Sequence, residues 1–224
     1  MAGYKFLQEE AYAHIREQIV TGVLREDQIY SETKLAAMIG ISRTPVKDAL
    51  VRLSQEKLID ILPSRGFRLH QMSEEDIWST YQLRTAVEGF CVLHLAHRKD
   101  TPEGKECLGQ LADSVERMAA LPEEAPIDEV WAEDLSFHRQ LVEFAGNAEF
   151  LQLFESYNHR MSVIARRSFL SPHRREAALR EHRDIVEAIR ACRDRDDMAA
   201  FTAVRVHMES SRDIVLGEQR AKDK

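Results

Sequence analysis

Four residues with metal-ligating side chains recur at positions that three amphipathic helices would turn toward one core. Asp134 and His138 stand four residues apart on the stripe Ile127, Trp131, Asp134, His138, Leu141 and Ala145. An i, i+4 pair shares one helical face. His182 belongs to the stripe Ala178, His182, Ile185 and Ile189, and His207 to Val204, His207, Ser211 and Ile214. One carboxylate and three imidazoles facing a bundle core suit a divalent cation, Zn first, with Ni, Fe or Mn also served by these donors. Such a cation would offset the cost of burying Asp134. Taken singly, each histidine also reads as a hydrogen-bonded core residue, and Asp134–His138 as an ordinary helical pair. The other histidines (His14, His70, His94, His97, His159, His173) form no comparable pattern.

Arg84 and Glu88 share a further stripe with Ile77, Tyr81, Cys91 and Leu95. They read either as a partly buried ion pair or as an effector-binding guanidinium oriented by its carboxylate. Asn158 and Arg160 lie on a helix with the apolar positions Phe150, Leu153, Phe154, Tyr157, Met161 and Ile164, and are candidate pocket residues beside solvated or capping roles.

A second constellation lies near the N-terminus. Burying Val46, Ala49, Leu50 and Leu53 on one face of a short helix leaves Arg43, Thr44, Lys47 and Val51 on the other. The N-terminal end of a recognition helix meets base edges in the major groove. Arg43 can donate a bidentate pair to guanine. Lys47 is a point charge for a phosphate or a single guanine acceptor. The hydroxyls of Ser42 and Thr44 suit phosphate oxygens. Arg65-Gly66, at the turn of a short hairpin, suits the adjacent minor groove, with Gly66 allowing close approach. A merely solvated charged face is the competing interpretation.

The elements that position these residues follow from punctuation and periodicity. Tyr12, Ile15 and Ile19 mark a first helix closed by Gly22; Ser31 caps a second; Gly40 turns into a third capped at Ser42 with Pro45 in its first turn. Residues 59–62 and 67–69 read as a hairpin through Pro63-Ser64-Arg65-Gly66. Beyond residue 72, Ser73-Glu74-Glu75-Asp76 resembles a capping box. Helices are predicted near 74–98, 103–121, 127–145, 148–169, 173–193 and 196–217, with Thr101-Pro102 and Ser171-Pro172 as start signals. The fold class is therefore mainly α: an N-terminal winged helix-turn-helix over 1–72 and an all-α antiparallel bundle over 73–224.

Composition agrees with a folded chain. The 224 residues are 44% hydrophobic and 31% charged, with 9 Gly and 6 Pro, which excludes disorder and collagen. No apolar run approaches the roughly 18–20 residues of a membrane helix, and no signal-like apolar segment follows the start. Three widely spaced cysteines form no CxxC, so a reducing cytoplasm is expected. The net charge of −7 is unevenly distributed: residues 1–72 carry 10 Lys and Arg against 9 Asp and Glu, and residues 73–224 carry 21 against 29. A local basic surface on the first segment is compatible with that asymmetry.

Leu35-Ala36-Ala37-Met38-Ile39-Gly40-Ile41-Ser42-Arg43-Thr44-Pro45-Val46-Lys47-Asp48-Ala49-Leu50, followed by Leu58-Ile59 and Pro63-Ser64-Arg65-Gly66-Phe67, closely resembles the winged helix-turn-helix of GntR-family transcription regulators. The resemblance covers about residues 7–70 and implies that Ser42, Arg43, Thr44, Lys47 and Gly66 occupy DNA-contacting positions. Lys47 stands where that family usually has Arg, and Thr33 where Arg is frequent. Asp134-x-x-x-His138, Glu181-His182, His207 and Arg84-x-x-x-Glu88 resemble the FCD effector domain of FadR-type members. That likeness implies a bundle of six or seven helices, a homodimer, a metal held by Asp134, His138, His182 and His207, and a neighbouring pocket for a small carboxylate; Arg84, Glu88 and, from its helix position, Asn158 are the candidate effector contacts. Six main helices within 152 residues favour the smaller, VanR-like subgroup.

The function expected is a repressor whose binding to double-stranded operator DNA is controlled by a small organic acid. A regulator responding to the metal ion itself uses the same ligands. A metal-dependent hydrolase would need an open coordination position and a general base; no separate base or nucleophile stands out, and the helix-turn-helix would be unexplained.

Overall fold

A computed structural model describes residues 2–25, 27–169, 171, 173–193 and 198–222, without the side chains of 2–5, 20, 159, 160, 162–167, 218, 219, 221 and 222. Arg160 and Ile164 thus have side chains outside the description. The chain divides into two compact units, Met1–Met72 and Ser73–Lys224.

The first unit runs α1 (Ala2–Val20), α2 (Glu32–Ile39), α3 (Arg43–Gln55), β1 (Ile59–Leu62) and β2 (Gly66–Leu69). α1 packs on α3, and α2 on α3. The apolar side chains of Ile15, Leu35, Val46, Ala49, Leu50, Leu53 and Phe67 are buried together as the core of this unit. Ser31 caps α2 by accepting from the Lys34 N–H at 3.4 Å, and Gly40 ends it in the left-handed region at φ 79°. The strands pair antiparallel, with Ile59 opposite Leu69 and Leu62 opposite Gly66. Tyr30 adds a bridge to Phe67, donating to its carbonyl at 2.7 Å and accepting from its N–H at 2.9 Å.

The second unit consists, among the described residues, of α4 (Glu74–Arg98), α5 (Pro102–Ala120), α6 (Ile127–Phe144), α7 (Ala148–Ser168), α8 (Arg174–Ala191) and α9 (Met198–Lys222). α4 contacts α5, α6, α7, α8 and α9, so it is the central helix. Its start is a full capping box. Ser73 Oγ accepts from the Asp76 N–H at 3.1 Å, and Asp76 Oδ2 accepts from the Ser73 N–H at 3.1 Å. Thr101 caps α5, accepting from the Gly104 N–H at 3.0 Å, with Pro102 at N1.

The mainly α architecture and all six bundle helices agree with the sequence reading, with starts and ends shifted by a few residues at most. Of the second start signal, Ser171-Pro172, Pro172 lies outside the described residues; the N-cap of α8 is His173 at φ 65°. The three cysteines are buried. No helix among the described residues is long and apolar enough to cross a membrane.

Candidate functional site

α6 presents Asp134 and His138 inward, α8 presents His182, and α9 presents His207. Each is at most 4% exposed. One ligand atom from each of the four lies within 4.8 Å of the others. His138 Nε2 is 3.1 Å from His207 Nε2 and 3.3 Å from His182 Nε2, and Asp134 Oδ1 is 3.5 Å from His182 Nε2. Ligands held about 2.0–2.1 Å from a tetrahedral zinc ion lie roughly 3.3 Å apart, so the spacing fits such an ion.

Electrostatics favours the same fit. His138 Nδ1 is 2.5 Å from Glu88 Oε2, an ion-pair contact whose angle departs from an ideal hydrogen bond. His207 Nδ1 is 2.8 Å from Glu181 Oε2. A carboxylate on Nδ1 requires the proton there, which leaves the Nε2 lone pairs of both rings facing each other. Lone pairs at 3.1 Å repel unless a cation lies among them. Burial, reinforced by His207, His138 and Arg174, pushes His182 well below its ordinary pKa of 6.5. Burial likewise brings His207 to about 4, against the opposing hydrogen bond from Glu181. Neutral imidazoles are the metal-binding form. Asp134 Oδ1 and His182 Nδ1 are buried without a hydrogen-bond partner, and the Phe137 ring stacks on His182 at 4.2 Å.

The Arg84–Glu88 pair is buried and fully formed. Arg84 Nε donates to Glu88 Oε1 at 3.0 Å, and Tyr157 Oη donates to the same oxygen at 2.9 Å. Burial opposes ionisation of Glu88, but the Arg84 guanidinium and the contact with His138 Nδ1 win and hold its carboxyl at about 2. Glu88 therefore turns one oxygen to Arg84 and Tyr157 and the other to His138. Asn158, next along α7, is 5% exposed, and among the described residues neither its Oδ1 nor its Nδ2 has a hydrogen-bond partner. Sequence reasoning left Tyr157 and Arg174 out of the site and mentioned Glu181 only within a motif. Tyr157 looks like core by periodicity, and only the packing of α7 on α4 brings its hydroxyl to Glu88.

In the first unit, Ser42, Arg43, Thr44 and Lys47 are all exposed at the start of α3, while Val46, Ala49, Leu50 and Leu53 are at most 1% exposed. Ser42 occupies the N-cap position, yet its hydroxyl makes no capping hydrogen bond and stays available. Arg43 reaches only Glu32, at 3.7 Å and largely in solvent, a contact that holds it weakly. Arg65 is exposed at the turn between the strands. Gly66 has an internal reason for its identity: at φ 116°, an added Cβ would stand 2.0 Å from the Tyr30 carbonyl oxygen. The close approach is thus to the protein's own backbone.

A winged helix-turn-helix with an exposed, cationic α3 start, joined to a helical bundle enclosing a polar centre, defines a DNA-binding transcription regulator with a sensory domain. The comparisons with known proteins give the family. The model of the bacterial regulatory proteins of the gntR family matches residues 7–69, and that of the FCD domain matches residues 79–210. This chain belongs to the GntR family, in its FCD-containing, FadR-type branch. An uncharacterised HTH-type transcriptional regulator of Agrobacterium vitis, from the TAR-I ttuE-ttuC' intergenic region, is 36% identical over 59% of this chain and 77% of its own length. The HTH-type transcriptional repressor RspR of Escherichia coli is 24% identical over 90% and 85%. Among solved structures, E. coli McbR/YncC matches the fold with a TM-score of 0.73 at 18% identity, covering 95% of this chain and 98% of that one. The family consists of transcription regulators, so the hydrolase reading falls away.

Proposed function

We propose that this regulator is a homodimeric repressor that leaves its operator when a small carboxylate binds beside a divalent metal in the second unit. The observation that carries the reading is the convergence of Asp134, His138, His182 and His207, all buried, with burial holding His182 and His207 below the ordinary imidazole pKa. When bound, the metal supplies a Lewis-acid anchor for a carboxylate or hydroxyl oxygen, with Zn the first candidate and Ni, Fe or Mn compatible. Arg84 supplies the fixed positive charge. Among the described residues, its hydrogen bond to Glu88 uses Nε, which leaves the Nη edge to pair with an acid. Glu88 holds that guanidinium in place. Asn158 supplies a buried amide with donor and acceptor both unspent, suited to a hydroxyl or carboxylate of the same ligand.

On the DNA side, Arg43 reads a guanine, Lys47 meets a phosphate or a single acceptor, and Ser42 and Thr44 bind phosphate oxygens at the start of α3. Arg65 follows the backbone from the wing, and Gly66 shapes that turn. A dimer places two such helices in successive major grooves of a palindromic site. The repressor names among the relatives support the sign of regulation.

The test pairs two measurements on the full chain. Thermal unfolding is followed with zinc-loaded and chelated protein against a panel of small carboxylates, and operator binding by fluorescence anisotropy on a duplex selected from a random pool. One acid should stabilise the zinc-loaded protein alone and release the duplex. No sequence preference in the selection would overturn the operator reading. DNA binding that follows free metal with no acid present would make the ion itself the effector.

A further inference from the structure

Glu181 and Arg174 have no role in the ligand set or the effector contacts, yet they pair beside the centre as Glu88 and Arg84 do. Glu181 precedes His182 on α8, and its carboxylate reaches α9 instead of joining the four ligands. Its Oε2 accepts from His207 Nδ1 at 2.8 Å and from Arg174 Nη1 at 2.9 Å. Arg174 is 3% exposed in the first turn of α8, and its Nη2 donates to Ser211 Oγ on α9, one turn beyond His207. The two residues therefore tie α8 to the α9 turn that carries His207 at two points, His207 and Ser211.

The parallel with the other side of the centre is close. Arg84 bonds Glu88, and Glu88 faces His138 Nδ1; Arg174 bonds Glu181, and Glu181 faces His207 Nδ1. A buried ion pair is a poor device for stability alone, because desolvating two charges offsets most of their attraction. Fixing the proton on Nδ1 and the orientation of a ligating ring is a use that accounts for the cost. His182, by contrast, has no hydrogen-bond partner on Nδ1 among the described residues.

We infer that Arg174 and Glu181 are positioning residues of the metal centre: they hold His207 with Nδ1 protonated and Nε2 directed at the ion, as Arg84 and Glu88 hold His138. The inference rests on the metal reading above. It makes metal affinity depend on two arginine–carboxylate–histidine relays that approach from α4 and α8, with His182 held by packing alone.

The test measures zinc affinity of the full chain by competition with a chromophoric chelator, beside the visible spectrum of the cobalt-loaded form. Variants D134A, E181Q and R174M are compared with the parent protein, each checked by circular dichroism. The expected result is a 10–100-fold loss of affinity in E181Q and R174M, with an altered cobalt spectrum in both. If the parent binds no divalent ion, the metal reading fails and takes this inference with it. If the parent binds and D134A does not, while E181Q and R174M match the parent, the metal reading stands and this inference is overturned. Should the variants not fold, a long-range 1H–15N spectrum of the zinc-loaded parent decides. A His207 proton on Nδ1 supports the relay, and one on Nε2 overturns it.

Discussion

Arg43 and Lys47 sit one helical turn apart on α3 and differ in what they can read. A planar guanidinium matches two acceptors on guanine, whereas an ammonium is a point charge. Arg43→Ala should cost about 1–3 kcal/mol at one base position and relax preference there. Lys47→Ala should weaken all duplexes alike and reduce the salt slope by about 1. Anisotropy titrations at several salt concentrations on matched and mismatched duplexes distinguish the two. In the helical unit, burial takes the folded-state pKa of His207 from 6.5 to about 4. The unfolded chain thus takes up a proton first as pH falls through 6.5. Stability of the metal-free protein should be full above 6.5 and decline toward 4. Glu88 and Glu181, each at about 2 against an ordinary 4.5, add a further loss below pH 4.5. Thermal unfolding across pH 4–8 checks this, and His207→Gln should reduce the upper part of the decline. A melting temperature that rises on acidification from 7 to 5 would contradict it.

Among the elements, the wing and α4 are held by contacts that single substitutions can break. Gly66 fits at the start of β2 because Tyr30 crosses it, and its φ of 116° suits a residue without Cβ. Gly66→Ala should destabilise the first unit by about 1–3 kcal/mol, more if Tyr30 cannot shift, and denaturant unfolding measures it. The capping box at Ser73 and Asp76 begins the central helix on which five others pack. Ser73→Ala should cost about 1 kcal/mol in the unfolding of the second unit while leaving operator contacts untouched. A cost near zero would mean that packing alone sets the start of α4.

At the scale of the whole molecule, two compact units predict two separable responses. The ligands of the metal centre all lie in Ser73–Lys224, so zinc should raise the unfolding transition of that unit and leave that of Met1–Met72 in place. The rise corresponds to about 2.7 kcal/mol at a hundredfold excess of free zinc over its dissociation constant. Calorimetry with and without chelator reads both transitions. If both move together, the units unfold as one cooperative body.

Local rules account for much of what the sequence alone determined. The winged helix-turn-helix, the six bundle helices and the inward direction of Asp134, His138, His182 and His207 follow from 3.6-residue periodicity and terminal capping. Those signals span a few turns of one helix, so they state which face a side chain occupies but not which side chain it meets. Only tertiary packing decided that Glu88 serves His138 as well as Arg84, that Tyr157 completes the pair from α7, and that Glu181 turns away from His182 toward α9. It also assigned Gly66 to Tyr30. Each of these is a contact between residues distant in the chain, set by how helices and strands cross; spacing within a single element carries no record of that crossing.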